Sequence, residues 1–346
     1  ALPISTIKIP NLNDREAAIL TSVIEEYIAS GTPVSSGYLK KHCGMNVSPA
    51  TIRNGMVSLE KKGFLMQLHT SGGRIPSDVG YRFYVNAKPK FRSLDDPFSE
   101  SVEKELLTVA NNVDELLDST ALMLAKVSHM FGVVLISGYH KSILTDIELV
   151  SLHGNRIMLV LGLDSGLIKS IVLNLDLNIQ PKLINKITLI LKERLIGCSL
   201  KEIQSTIGMR LNGTEMYSHE LVQVLIDDCL NYFHIDNNKR IYTSPSDVLL
   251  DQPEFQNLAN FQRLLPALDK SYLNQHFKDN FSDKSERTLI GIENEDELLN
   301  DCSIITTQFD SGLIQGTIGV LGPKRIPYMS VQSIIDKFAE IIQSAL

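Results

Sequence analysis

Cysteine is scarce in this chain of 346 residues, and its four copies, Cys43, Cys198, Cys229 and Cys302, stand far apart with no CxxC pair. That spacing excludes a compact zinc-ligand set and a disulfide framework, and makes a reducing cytoplasm the expected surrounding. Long apolar runs are missing as well. The longer ones, such as Val133 to Ile136 and Ile157 to Leu163, are strand-length and fall well short of the roughly 20 residues that span a bilayer, so no transmembrane helix and no membrane partner are expected. The first residues, ALPISTIKIPNLND, have neither the charged start nor the long apolar centre of a signal peptide. An HExxH motif, a P-loop, a Ser-His-Asp order and paired catalytic acids are also absent, and Gly72-Gly73 lacks the strand and helix that flank a nucleotide loop. No enzymatic chemistry, no cofactor and no metal are therefore expected. His219, Cys229 and His234 are spaced too widely for a compact helical ligand pair, and structural roles are expected for them.

What is present is an ordinary globular composition, 43% hydrophobic and 21% charged, in a chain long enough for two or three domains. The charge is unevenly spread. From Ser35 to Arg92 ten Lys and Arg residues stand against two acids, Glu60 and Asp78, a net of +8, so the remainder must carry −15 of the overall −7. One segment facing phosphate, with the rest kept soluble by negative charge, produces this footprint.

Local signals order that segment. Asn13 with Glu16 forms a capping box for a first helix whose apolar face runs Leu20, Val23, Ile24, Tyr27 and Ile28, ending near Gly31 before Pro33. A short second helix runs from Ser35 or Ser36 to Gly44. Ser48 caps a third, with Pro49 at the first helical position, where its missing N–H costs nothing. Ile52, Met56 and Leu59 fall on one face of that helix, and Ala50, Thr51, Asn54, Val57, Ser58 and Lys61 on the other. Phe64 to Leu68 alternates like a strand, a Gly-rich tip follows at His69 to Gly73, and Arg74-Ile75 begins the return. Helix, helix, helix, hairpin is the winged helix-turn-helix order. Ser77 to Asn86 reads as a closing helix, and Ala87 to Pro97 as a linker.

The small, hydrogen-bonding face of the third helix suits close approach to base edges. A guanidinium at Arg53 pairs with phosphate or guanine, and an amide at Asn54 pairs bidentately with adenine. Ser48, Ala50, Thr51 and Ser58 accompany them, and Lys40, Lys41, Lys61 and Lys62 are phosphate candidates; a plain solvated helix face is the alternative for each. In the wing, Thr70, Ser71 and Arg74 would grip the backbone or enter a minor groove, with Gly72 and Gly73 allowing close approach. The alternative is that these glycines simply close a hairpin.

Farther along, Glu100 to Met130 is helical in period. Strand-like runs follow at Gly132 to Gly138, Thr145 to His153, Ile157 to Gly162 and Ile168 to Leu175. A near repeat, Leu163-Asp-Ser-Gly-Leu-Ile168 and Phe309-Asp-Ser-Gly-Leu-Ile314, joins apolar strands in two places, each a hairpin turn with glycine supplying positive φ. A closing helix carries Val331, Ile334, Ile335, Phe338, Ile341 and Ile342. Between the strand sets, about Gln180 to Arg287, the pattern turns helical and polar, so the simplest topology is one sheet domain interrupted by a largely helical insertion. The insertion's apolar faces, including Leu221, Leu225, Ile226, Leu230 and Phe233, are either a dimer surface or the insertion's own core.

ATIRNGMVSLEKKGFLMQLHTSGGRIPSDVGYRFYV, together with the distant DCSIITTQFDSGLIQGTIGVLGPKRIPY, resembles the heat-inducible transcription repressor HrcA family. The resemblance implies an α+β multidomain protein: a winged-helix domain with linker over 1–92, a GAF-like domain split between 93–180 and 288–346, and an inserted dimerising domain over 181–287. It implies a cytoplasmic bacterial repressor of groE and dnaK type chaperone operons. Such a repressor binds double-stranded DNA at an inverted-repeat operator, CIRCE, as a homodimer, is modulated by the GroE chaperonin and is released on heat stress. This chain departs from the family pattern at Gly55, where an acid is usual, and in the wing, where Gly73 is expected to loosen the tip. A second possibility is a regulator sensing a small molecule in the GAF-like domain, between the sheet and the Glu100–Met130 helix. No convergent polar cluster in the strands selects such a ligand, and an apolar interior is expected there.

Overall fold

The computed structural model describes residues 10–42, 47–67, 73–87, 97–108, 113–138, 143–153, 155–164, 166, 168–175, 179–233, 240–280, 286–312 and 314–346. Helix α1 (Asp14–Ser30) starts on the expected capping box: Asn13 Oδ1 accepts from the Glu16 amide at 2.9 Å, and the Glu16 carboxylate accepts from the Asn13 amide at 3.2 Å. It ends at Gly31, in the left-handed region. Helix α2 (Ser36–His42) follows, then α3 (Pro49–Lys61), whose first turn is capped by Ser48 Oγ accepting from the Thr51 amide at 3.1 Å. Ile19, Leu20, Val23 and Ile24 of α1 bury against Leu39 of α2 and Ile52, Met56 and Leu59 of α3.

Strands β1 (Leu65–Gln67) and β2 (Arg74–Pro76) pair antiparallel, and α4 (Asp78–Ala87) closes the body with Tyr81 and Tyr84 buried. Val34 bridges to β2, exchanging both backbone hydrogen bonds with Arg74 at 2.9 and 2.8 Å. Gly73 has a packing role at this bridge. A Cβ at this position would lie 2.5 Å from the carbonyl carbon and oxygen of Pro33, so the missing side chain is what lets the hairpin close against the α1–α2 connection.

The apolar period over 100–130 is divided between α5 (Pro97–Thr108) and α6 (Val113–Ser128). Strands β3 (Phe131–Gly138), β4 (Leu144–Ser151), β5 (Arg156–Leu163) and β6 (Ile168–Asn174) come next, followed by α7 (Pro181–Leu195), α8 (Leu200–Leu211), α9 (Glu220–Asp227) and α10 (Cys229–Tyr232). The chain continues through β7 (Arg240–Thr243), α11 (Leu258–Leu264), α12 (Lys270–Asn280), β8 (Glu286–Ile290), β9 (Cys302–Asp310), β10 (Gln315–Pro323) and α13 (Tyr328–Ala345). Both Asp-Ser-Gly turns are hairpins, with Gly166 at φ 76° and Gly312 at φ 85°.

The strands do not share one sheet. A five-stranded antiparallel sheet has the order β7-β3-β10-β9-β8, while β4-β5-β6 form a separate three-stranded sheet. Of the first strand set only β3 joins the large sheet. The helical stretch is divided in the same way: α7, α8 and α9 cover one face of the small sheet, burying Ile187, Leu191, Ile203 and Leu225, whereas β7, α11 and α12 belong to the large one. Alternation along the large sheet assigns its two faces. Val134, Ile136, Ile305, Ile318 and Val320 pack toward α6 and α13, and Phe131, Val133, Leu135, Ile304 and Leu321 pack toward α11 and α12. The interior between α6 and the sheet is apolar, with Leu117, Ala121 and Leu124 fully buried.

Candidate nucleic-acid interface

Helix α3 divides its polar residues between two stripes. Ala50, Arg53, Asn54 and Lys61 stand exposed on one stripe, with Val57 half-buried among them. One helical step around, Gly55, Ser58 and Lys62 face α1. A Cβ on Gly55 would sit 2.5 Å from Ile19 Cδ1, Ser58 Oγ donates to Glu16 Oε1 at 2.8 Å, and Lys62 Nζ reaches Glu16 Oε2 at 2.7 Å. The Lys62 and Ser58 hydrogen bonds, aided by the cap, hold the Glu16 carboxyl down to about 2. Ser58 and Lys62 are thus occupied internally, apart from the exposed stripe on which Arg53 and Asn54 stand together. Ser48 and Thr51 hydroxyls lie 2.9 Å from each other at the exposed start of α3. Lys40 and Lys41 are exposed on α2.

In the hairpin, Arg74 Nε donates to Glu60 Oε2 at 2.9 Å, fixing the return strand to the end of α3. Thr70, Ser71 and Gly72 lie outside the described residues, as do His69 and His234.

A second set of polar side chains fastens this body to the large sheet. Arg82 pairs with the buried Glu293 and donates to the Thr288 carbonyl at 2.6 Å. Asp78 accepts from Lys324 Nζ at 2.9 Å and from the Ile292 amide at 3.0 Å. Arg325 donates to the Ile28 carbonyl and to Glu254, each at 2.8 Å, and the Glu254 bond raises its already high pKa. The rings of Tyr81 and Tyr328 meet at 5.8 Å. None of these contacts was foreseen, yet one signal was present: the only two acids in the basic segment, Glu60 and Asp78, each hold a cation.

The expected dimer residues separate as well. Leu221, Leu225 and Phe233 are fully buried in the core beneath the small sheet, Ile226 is half-buried, and Leu230 alone is exposed, at 66%. His219 caps α9, its Nδ1 accepting from the Leu221 amide at 3.2 Å, and Cys229 Sγ contacts the Gln204 carbonyl at 3.5 Å. Both serve local structure. Among the described residues no His, Cys, Asp and Glu cluster suits a metal, and no helix is long and apolar enough to cross a membrane.

Residues 114–331 match the family model described as the HrcA protein C terminal domain. Over 350 residues the chain is 30% identical to the heat-inducible transcription repressor HrcA of Chlorobium phaeobacteroides (strain DSM 266 / SMG 266 / 2430), covering 97% of this chain and 98% of that protein. It is likewise 30% identical over 341 residues to the protein of the same name from Geobacter sulfurreducens, covering 97% of this chain and 98% of the relative. A crystal structure described as that of a hypothetical protein shares the fold, with a TM-score of 0.65 and 21% identity over 97% of this chain and 100% of its own.

Proposed function

Because this chain belongs to the HrcA family of heat-inducible transcription repressors, negative regulators of heat-shock transcription, we propose that it represses by seating α3 in the major groove of an inverted-repeat operator. The observation that carries this is the division of α3: the Glu16 stripe is anchored to α1, and the stripe with Ala50, Arg53, Asn54, Val57 and Lys61 is left exposed. In this view residues 1–92 form a winged-helix domain. Asn54 reads adenine, Arg53 takes guanine or phosphate, and Ala50 and Val57 keep the helix low in the groove. Lys40, Lys41 and Lys61 hold phosphates, with Ser48 and Thr51 at the helix start. Thr70, Ser71 and Gly72 form the wing tip, and Arg74 braces it through Glu60.

A palindromic operator calls for a two-fold partner. The small sheet supplies a surface for one. Its open face carries the cross-strand row Val150, Met158, Val172, with Val150 exposed at 41% and Val172 at 48%, beside Ile168 at 70%. This row is an apolar patch on a face that also carries Glu148, Arg156 and Ser170, and a second copy of this chain is its proposed occupant. On this division the dimerising body is 143–233, and 240–280 belongs to the GAF-like body. The protein acts in the cytoplasm, on the nucleoid when bound, at CIRCE elements of groE and dnaK type operons, with the GroE chaperonin as modulator.

The deciding experiment is a gel shift with an inverted-repeat fragment from the chain's own chaperone promoter, with and without chaperonin. Wild type should bind, chaperonin should strengthen the shift, and the Arg53→Ala/Asn54→Ala double variant should lose it while staying folded. Retained binding by that variant would show that α3 does not read the operator. Sedimentation of Val172→Lys should give a monomer where wild type gives a dimer.

A further inference from the structure

Three points, two on α4 and one at the end of α1, pin the N-terminal body to the large sheet. Arg82 grips Glu293 with two prongs, Nε donating to Oε1 at 2.7 Å, and it also donates to the Thr288 carbonyl of the edge strand β8. One turn earlier, Asp78 accepts from Lys324 Nζ at 2.9 Å and from the Ile292 amide at 3.0 Å. At the end of α1 the Ile28 carbonyl accepts from Arg325, which also holds Glu254. These pins use α1 and α4, and the stripe of α3 with Arg53 and Asn54 stays exposed.

The sheet side of this joint is braced by its own residues. Lys324 and Arg325 follow directly on β10, a strand bonded on one side to β3 and on the other to β9, and the Lys324 amide donates to the Asp301 carbonyl at 3.2 Å. The turn that receives α4 is held from behind by the buried Asn294, whose Nδ2 lies 2.8 Å from the Gly291 carbonyl oxygen and 3.2 Å from those of Leu299 and Cys302. Glu293 is fixed in addition by the Ile290 amide at 2.9 Å. Gly291, at φ 54°, lets α4 come close, because a Cβ there would collide with the Asp78 carboxylate. A body pinned at points off one line is fixed in both position and orientation, whereas a peptide connection alone fixes neither.

We propose that Asp78, Arg82, Lys324 and Arg325 are positioning residues that hold the two reading helices of a dimer at one separation and facing, and so decide which half-site spacing the protein accepts. This rests on the proposed reading of α3 and on the proposed two-fold dimer. One base pair added between half-sites moves them about 3.4 Å apart and turns one against the other by about 35°. A pinned module cannot follow that change, and an unpinned one can. Loosening a stiff link lowers the effective concentration of the second module at the matched spacing and raises it at mismatched ones. The signature of the joint is therefore a change in spacing preference, which loss of stability alone does not produce.

The test titrates full-length protein, by fluorescence anisotropy, against a single half-site and against inverted repeats whose spacer is native or changed by one or two base pairs. Wild type should prefer the native spacer by about tenfold or more over a two-base-pair change. The Lys324→Met/Arg325→Met double variant should keep half-site affinity within about twofold, bind the native spacer more weakly, and retain a spacer preference of about threefold or less. Tyr81→Phe, in the same joint, should keep the wild-type preference, because its hydroxyl has no hydrogen-bond partner among the described residues and pins nothing. Unchanged preference in a double variant that still binds the half-site overturns the inference, as does a wild type that binds all spacers alike. Should the double variant lose its melting transition, Lys324→Met and Arg325→Met singly decide by the same comparison. A wild type that binds no half-site overturns the reading of α3, and a wild type that sediments as a monomer overturns the dimer; either result takes this inference with it, and each is distinct from a failure of the joint alone.

Discussion

Lys61 and Lys62 are adjacent in sequence and opposite in task, and an operator titrated with salt should separate them. Lys61 projects from the exposed stripe of α3, whereas Lys62 is held at 2.7 Å by Glu16. With Lys40, Lys41, Arg53 and Lys61 as phosphate contacts in each of two copies, about eight counterions are released. The slope of log affinity against log salt is then about −7, and affinity falls by about 10⁴ between 50 and 200 mM salt. Lys61→Gln removes two contacts per dimer and should flatten the slope by about 1.8. Lys62→Gln keeps a donor toward Glu16 and should leave the slope where it was. Anisotropy of a labelled inverted-repeat fragment measures both. The difference between the variants is the decisive quantity, because it does not depend on what Lys88, Lys90 and Arg92, outside the described residues, add to the wild-type slope. Equal flattening by the two variants, or a wild-type slope near zero, would refute the division of α3 into an anchored and a reading stripe.

Three further outcomes follow from the packing. Gly73→Ala should destabilise the N-terminal body by about 1–3 kcal/mol in urea melts, since the new methyl meets backbone at 2.5 Å and backbone cannot rotate away as a side chain can. Arg82→Met strands the buried Glu293 and should cost about 3 kcal/mol at the junction, seen as faster amide exchange in α4 and β8 with operator contacts intact. The Glu16 carboxyl, near 4.5 ordinarily and about 2 here, is lowered on folding, so its stabilisation is complete above pH 4.5 and is lost as pH falls toward 2; Glu16→Gln should flatten that acid limb of the melting curve.

Features governed by local hydrogen bonds were legible in the chain itself. Asn13 with Glu16, Ser48 before Pro49, and the two Asp-Ser-Gly hairpins each depend on residues within a few positions of one another, and each appears as read. The partition of strands was not legible, because β3 and β4 present similar apolar strand patterns and only pairing partners distant in sequence tell them apart. Strand β7, four residues long, is too short to show a period at all. The pairing of Ser58 and Lys62 with Glu16 was not legible for a related reason. Helical geometry orders the stripes around α3, but which stripe is covered is decided by Glu16, more than forty residues away. The dimer candidates stood between two readings for the same reason, since an apolar helix face looks the same whether it meets its own sheet or another chain.

The surplus of +8 between Ser35 and Arg92 also changes meaning once partners are assigned. Lys62 is held by Glu16, Arg74 by Glu60 and Arg82 by Glu293, so three of the ten cations stabilise the body and its docking, and the acid partners of two of them come from outside the segment. Lys41, Arg53 and Lys61 stand exposed on α2 and α3, an arrangement that suits an oriented approach to phosphate. The same accounting explains why two sequence blocks so far apart both carry the family resemblance. Asp78 of the first block pairs with Lys324 of the second, and the Tyr81 ring packs at a tilt against Tyr328, so the blocks are the two halves of one joint. If the N-terminal body is the DNA module, as proposed, then a body held to its sheet by these few contacts can be shifted by anything that alters the joint, without any change in the residues proposed to touch DNA.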